Sequence, residues 1–85
     1  MDHHEHADML EVLAEHFEEE IEDACEYAKL AEEYHDEHIA LWELGREEAT
    51  HANYLHSVLE RHHHHFNEEH LEKFHNMMRK FHFEK

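Results

Sequence analysis

Two apolar stripes recur along this chain at steps of three and four, and each is interrupted by side chains that ligate metals. The first runs Leu10, Leu13, Phe17, Glu20, Ala24, Tyr27, Ala31, Tyr34, with one carboxylate where an apolar residue belongs. The second runs Leu41, Leu44, Glu48, His51, Leu55, Val58, with a Glu-x-x-His pair in the same situation. Such spacing is the signature of an amphipathic helix. It predicts a helix over 7–34 and a second over 39–62, after a polar lead-in over 1–6 that frays. Asn67 is placed to cap a third, C-terminal helix over 67–82, in which Leu71, Phe74, Met78 and Phe81 recur at the same steps. That helix has its own apolar face, to be packed on a hairpin of the same or a neighbouring subunit. No linker or repeat divides residues 1–85, so one all-α domain is expected.

The only plausible reversal between the first two helices is His35-Asp36-Glu37-His38, which contains neither glycine nor proline. A turn there places Glu20 and the Glu48/His51 pair about equally far from it, so the three side chains share one layer of an antiparallel hairpin. A lone buried carboxylate is costly unless it is paired or binds a metal. Two at one level imply a cation. One Glu from one helix and a Glu-x-x-His from the other make half of the ligand set of di-iron carboxylate bundles, in which four helices contribute. A second copy across a two-fold axis supplies the other half. The expected architecture is therefore a two-helix hairpin plus a short C-terminal helix, dimerising into a ferritin-like four-helix bundle.

Composition narrows the partners. The 85 residues are 40% hydrophobic and 35% charged, with no proline and a single glycine, which leaves little support for strands. Asp and Glu number 23 against 7 Lys and Arg, a net charge of -16 that repels nucleic acid and anionic membranes and attracts cations. Fifteen histidines add transition-metal ligands far beyond ordinary usage. Cys25 stands alone, so neither a disulfide nor a thiolate zinc cluster forms within the chain, and a reducing, cytoplasmic location is expected. Its place beside Ala24 predicts a small buried packing residue. No run approaches the roughly 20 apolar residues of a membrane span. Two lines of small residues, Ala24, Ala28, Ala31 and Gly45, Ala49, Ala52, predict tight packing of the first helix on the second.

With these residues in view, Glu19-Glu20-Ile21-Glu22 followed by Tyr27, then Glu47-Glu48-Ala49-Thr50-His51-Ala52, and finally Glu69-His70-Leu71 resemble the encapsulated ferritin family, half-length relatives of ferritins and rubrerythrins. The resemblance covers about two thirds of the chain. It implies that Glu20, Glu48 and His51 ligate a di-iron centre shared by two subunits, with Tyr27 beside the metals in the catalytic set. Glu19 and Glu22 match the family's outer carboxylates, which line a route for cations. The implied activity is a ferroxidase that oxidises Fe(II) to Fe(III) for iron storage or detoxification. The implied assembly is a homodimer or a ring of dimers inside a protein shell, a nanocompartment. Calcium, zinc and manganese are further candidates for the same or the outer sites. The family commonly carries an extension that docks into the shell; this sequence ends at His82-Phe83-Glu84-Lys85 without one, and its histidine-rich stretch from His62 to His75 also departs from the pattern.

Two other readings compete. A non-catalytic, histidine-rich metal buffer would bind many ions weakly through exposed histidines and acidic faces. A hemerythrin-like di-iron binder would use the His-x-x-x-Glu spacing of His65 and Glu69, with His70 and His75 following.

Overall fold

The computed structural model describes the backbone of residues 3–83 and the side chains of 7–83, so the first two residues of the expected lead-in lie outside the described residues. Helix α1 spans His3–Glu33, a 3-10 turn spans His35–Glu37, α2 spans His38–Arg61 and α3 spans Glu68–Lys80. The described residues are all-helical, without strands. Helix α1 starts four residues ahead of the expected position, and α2 and α3 fall within two residues of theirs. No described helix is long and apolar enough to cross a membrane.

The reversal forms where it was expected, by a device that needs no glycine. Tyr34 leaves the helical region at φ -113°, ψ 84°, and the Glu37 amide donates back to the Tyr34 carbonyl at 3.1 Å. The His38 imidazole then reaches across the turn and donates from Nδ1 to the Ala31 carbonyl at 2.9 Å, satisfying one of the acceptors that a helix C-terminus leaves open. The same ring stacks on Trp42 one turn later.

Helices α1 and α2 pack through their small residues. Ala24, Ala28, Ala31, Ala49 and Ala52 are completely buried, joined by Phe17, Ile21 and Leu59. Helix α3 lies over this same side of the hairpin and buries Phe74, Met77, Met78 and Phe81 against it, with Leu71 half-buried. Its position corrects the stripe reading in one respect. Because α3 covers the hairpin from one side only, the buried sector is rotated from the stripe axis by about 40° on α1 and by about 100° on α2. Leu44 and Tyr34, expected in the core, are therefore 42% and 58% exposed. Cys25, expected to be buried, is exposed as well, because it lies beyond the far edge of that sector.

The helix ends show what several histidines do. Asn67 caps α3 as expected, its side chain accepting from the amides of Glu69 at 2.9 Å and His70 at 3.3 Å. At the end of α2, His63 adopts φ 57°, and the His64 amide donates to Leu59 O while the His63 amide donates to Glu60 O. At the end of α3, His82 adopts φ 63°, with Phe83 donating to Met78 O and His82 to Arg79 O. These are left-handed C-terminal caps of the kind usually given to glycine. Histidine is among the few other residues that enter that region.

The single glycine lies against Phe81, the residue that follows α3. A Cβ at Gly45 would meet Phe81 Cζ at 2.8 Å and Tyr27 Cβ at 3.1 Å. Phe81 is fully buried, with Trp42 4.6 Å from it between ring centres, so it has little room to yield. Gly45→Val is expected to destabilise the protein by about 2 kcal/mol, the overpacking cost outweighing the gain in helix propensity. A urea titration followed by circular dichroism measures this, and equal or greater stability in the variant would contradict the packing described.

Candidate metal centre

Glu20 projects from the middle of α1 and meets Glu48 and His51, one turn apart on α2, across the open side of the hairpin. His51 Nδ1 lies 3.5 Å from Glu20 Oε2 and 3.7 Å from Glu48 Oε1. One donor atom from each residue falls within 4.8 Å of the other two. This is the only such group of three or more His, Cys, Asp or Glu among the described residues. The carboxylate side chains are only 21% and 24% exposed, whereas the imidazole is 58% exposed. The three residues named from the matched heights are thus brought together.

Glu20 Oε2 is buried and accepts no hydrogen bond. His51 stands near it but beyond bonding distance for a directed N–H···O contact. A buried acceptor left without a donor costs about 1–3 kcal/mol, and more when it is charged. The second carboxylate cannot help while both are ionised, since neither has a hydrogen to give. Glu48 responds to this conflict: its pKa is raised above the ordinary 4.5, first by hydrogen bonding to Glu20, then by desolvation and by the like charge of Glu20, with His51 pulling the other way. A proton shared between the two carboxylates removes one of the two charges, and a divalent cation would balance both.

The other residues implied by the resemblance are dispersed. Tyr27 is half-buried on the same helix, about 10 Å along the axis from Glu20, and packs its Cβ towards Gly45. Glu19 is exposed, with His16 Nδ1 3.8 Å from its carboxylate. Glu22 points to the opposite side of α1, into a groove between α1 and α3 that it shares with Cys25, Glu26, Lys29, Lys73 and Asn76. Neither Glu19 nor Glu22 joins the cluster, because each lies about 100° or more around the helix from Glu20. In the groove, partial desolvation pushes the Cys25 thiol above its ordinary value, against the lowering effect of Lys80 and Lys73.

The histidine-rich segment gathers no second cluster of this kind among the described residues. His65 is exposed in the loop before α3, while Glu69 lies in the first turn of α3 with its carboxylate 3.8 Å from Lys73 Nζ. The hemerythrin-like spacing is therefore split between a loop and a helix. His70 pairs with Glu18 at 2.6 Å, tying α3 to α1. Comparisons with family models, with curated proteins and with solved structures find no match to this chain.

The raised Glu48 pKa predicts a pH dependence for the metal-free protein. A carboxyl whose folded pKa lies above its unfolded value binds its proton more tightly in the native state. It therefore contributes stability below the unfolded value of 4.5, and that contribution is lost as pH rises through the folded value. Carbon-detected NMR of the Glu48 carboxyl is expected to give a midpoint above 4.5 that falls in Glu20→Ala. An unchanged midpoint in that variant would show that Glu20 is not the cause.

Proposed function

We propose that this chain is a ferritin-like iron protein in which Glu20, Glu48 and His51 form half of a di-iron ferroxidase centre, completed by the same residues of a second copy. The observation that carries this reading is the Glu20 oxygen, buried without a donor beside a second carboxylate and an imidazole. A site built for stability alone would fill that place with an apolar side chain. Two copies would supply four carboxylates and two imidazoles. The four negative charges balance two divalent cations, and the mixed oxygen and nitrogen set suits iron, with zinc or manganese as competitors.

The surroundings support a second copy as the completing partner. Met9 and Tyr34 stand within about 40° of Glu20 around α1, and Leu44 within about 40° of Glu48 around α2. All three are among the most exposed large apolar residues, at 40%, 58% and 42%. Leu13, Tyr27 and Leu55 are half-buried along the same seam. The polar triad thus sits in the middle of an apolar strip, and an isologous contact over that strip would close a four-helix bundle around it. Like charges oppose that contact until cations arrive.

Fe(II) is the substrate in this reading, losing an electron to oxygen or peroxide and leaving as Fe(III). Glu20 and Glu48 supply the compensating charge, and His51 contributes a neutral nitrogen that, being the most exposed of the three, is the first met by an arriving ion. The resemblance to encapsulated ferritins points the same way and adds a role for Tyr27 beside the metals and a ring of dimers as the larger assembly.

Sedimentation with and without Fe(II) is expected to show metal-strengthened dimers or rings of dimers, since an ion bound only by the assembled state stabilises it by mass action. Stopped-flow absorbance of ferric product is expected to show that Glu20→Ala, Glu48→Ala and His51→Ala each abolish rapid Fe(II) oxidation while His63→Ala retains it. A monomer that tightly binds two irons would overturn the shared centre. Many weakly bound ions without redox turnover would point instead to a metal buffer.

A further inference from the structure

We propose that His56 is a pH-sensitive pin for α3: as a neutral ring it joins α3 to the hairpin through a stack of aromatic side chains, and its protonation in mild acid releases the helix. Three elements meet on this imidazole. Phe74 of α3 stacks on it at 4.5 Å and 11°, Phe66 of the loop before α3 at 5.0 Å and 21°, and Phe17 of α1 lies 6.0 Å away. Phe17 in turn contacts Phe66 at 5.6 Å and Phe74 at 5.3 Å. Nothing in the proposed iron chemistry uses this cluster, which belongs to the opposite side of the hairpin.

Helix α3 depends on such contacts. It has 13 residues, a length at which an isolated helix is marginal in water, so docking decides whether it persists. Its far end is held by Phe81 against Trp42 and Gly45, and by Arg46, which donates to the Phe81 carbonyl at 2.9 Å and lies over the Phe83 ring. Its near end rests on the His56 stack and on the His70–Glu18 pair.

The groups that face His56 pull in both directions. On its own helix, Glu60 favours the charged ring, whereas His75 of α3, 6.4 Å away between ring centres, opposes it. His64 of the loop sits edge-on to Phe66 at 5.0 Å and adds further positive charge if protonated. Glu18 of α1 is occupied by His70. Burial among the rings is the largest influence and holds His56 below the ordinary 6.5. A base whose folded pKa is depressed contributes stability above its unfolded value, lost as pH falls through the folded value. The rest of the chain behaves oppositely, since acid reduces the self-repulsion of a net charge of -16. Local loosening of α3 in a molecule that otherwise tightens is the distinguishing signature.

Trp42 is the only tryptophan and touches Phe81, so its emission reads the docking of α3 at the end remote from His56. Because His38 also stacks on Trp42, the experiment uses His38→Gln as background. A reversible change in emission is expected as pH falls below the ordinary 6.5 of histidine, with the far-ultraviolet signal of α1 and α2 retained. The NMR titration of the His56 ring is expected to share its midpoint. His56→Phe keeps an aromatic ring in the stack and is expected to remove the transition, and His75→Gln to move its midpoint upward. Persistence of the transition in His56→Phe, or its absence from the parent, would overturn the proposal. Should His56→Phe fail to dock α3 at neutral pH, the two midpoints decide: unequal values for His56 and Trp42 would equally overturn it.

Discussion

Everything in this molecule rests on the close seating of α1 against α2 over residues with almost no side chain. Ala24, Ala28 and Ala31 on α1 and Ala49 and Ala52 on α2 have no exposed surface and Gly45 is buried, and side chains this small let the two backbones approach closely. Larger residues there would hold the helices apart and separate Glu20 from Glu48 and His51. The consequence for the site is direct, because carboxylates and imidazole are short or rigid side chains that converge only when the backbones are near. Helix α3 supports the arrangement from behind, with Phe81 filling the space left by the missing Gly45 side chain.

The parts legible in the sequence were those governed by period and by height. Apolar residues at steps of three and four yielded three helices to within a few residues at each end, and the equal distance of Glu20 and Glu48/His51 from a turn yielded the cluster. The facing of the core was less legible. Helical periodicity specifies an apolar sector but not which edge of it a third helix covers, and α3 chose the edge lined by alanines. That choice left Leu44 and Tyr34 in solvent and Cys25 in an open groove. The place of the reversal followed from the matched heights, but the devices that make it at His38 and that end α2 and α3 at His63 and His82 were not legible, because the usual marks of both are glycine and proline, and here histidines take those positions.

The histidines consequently do not form one functional class. His38 closes a turn, His63 and His82 take left-handed backbone positions, His70 pairs with a carboxylate, His56 fills an aromatic stack, and His51 joins two carboxylates in the one such cluster among the described residues. This division bears on the buffer reading. A chain selected for indiscriminate metal uptake would leave its imidazoles exposed and mutually adjacent, whereas several of these have local structural partners.

Charge ties the fold to the proposed assembly. At a net charge of -16 the monomer is protected from casual association, even with apolar residues exposed along the seam, because any two copies repel. The repulsion is greatest where the copies would meet at Glu20 and Glu48, whose carboxylates already crowd each other within one chain and hold the Glu48 proton more tightly. Protons relieve that crowding only partly, since each neutralises one carboxylate and leaves its neighbour charged. A divalent cation neutralises two at once and satisfies the orphaned Glu20 oxygen in the same step. The feature that destabilises the isolated hairpin is therefore the one that would make its association selective for metal.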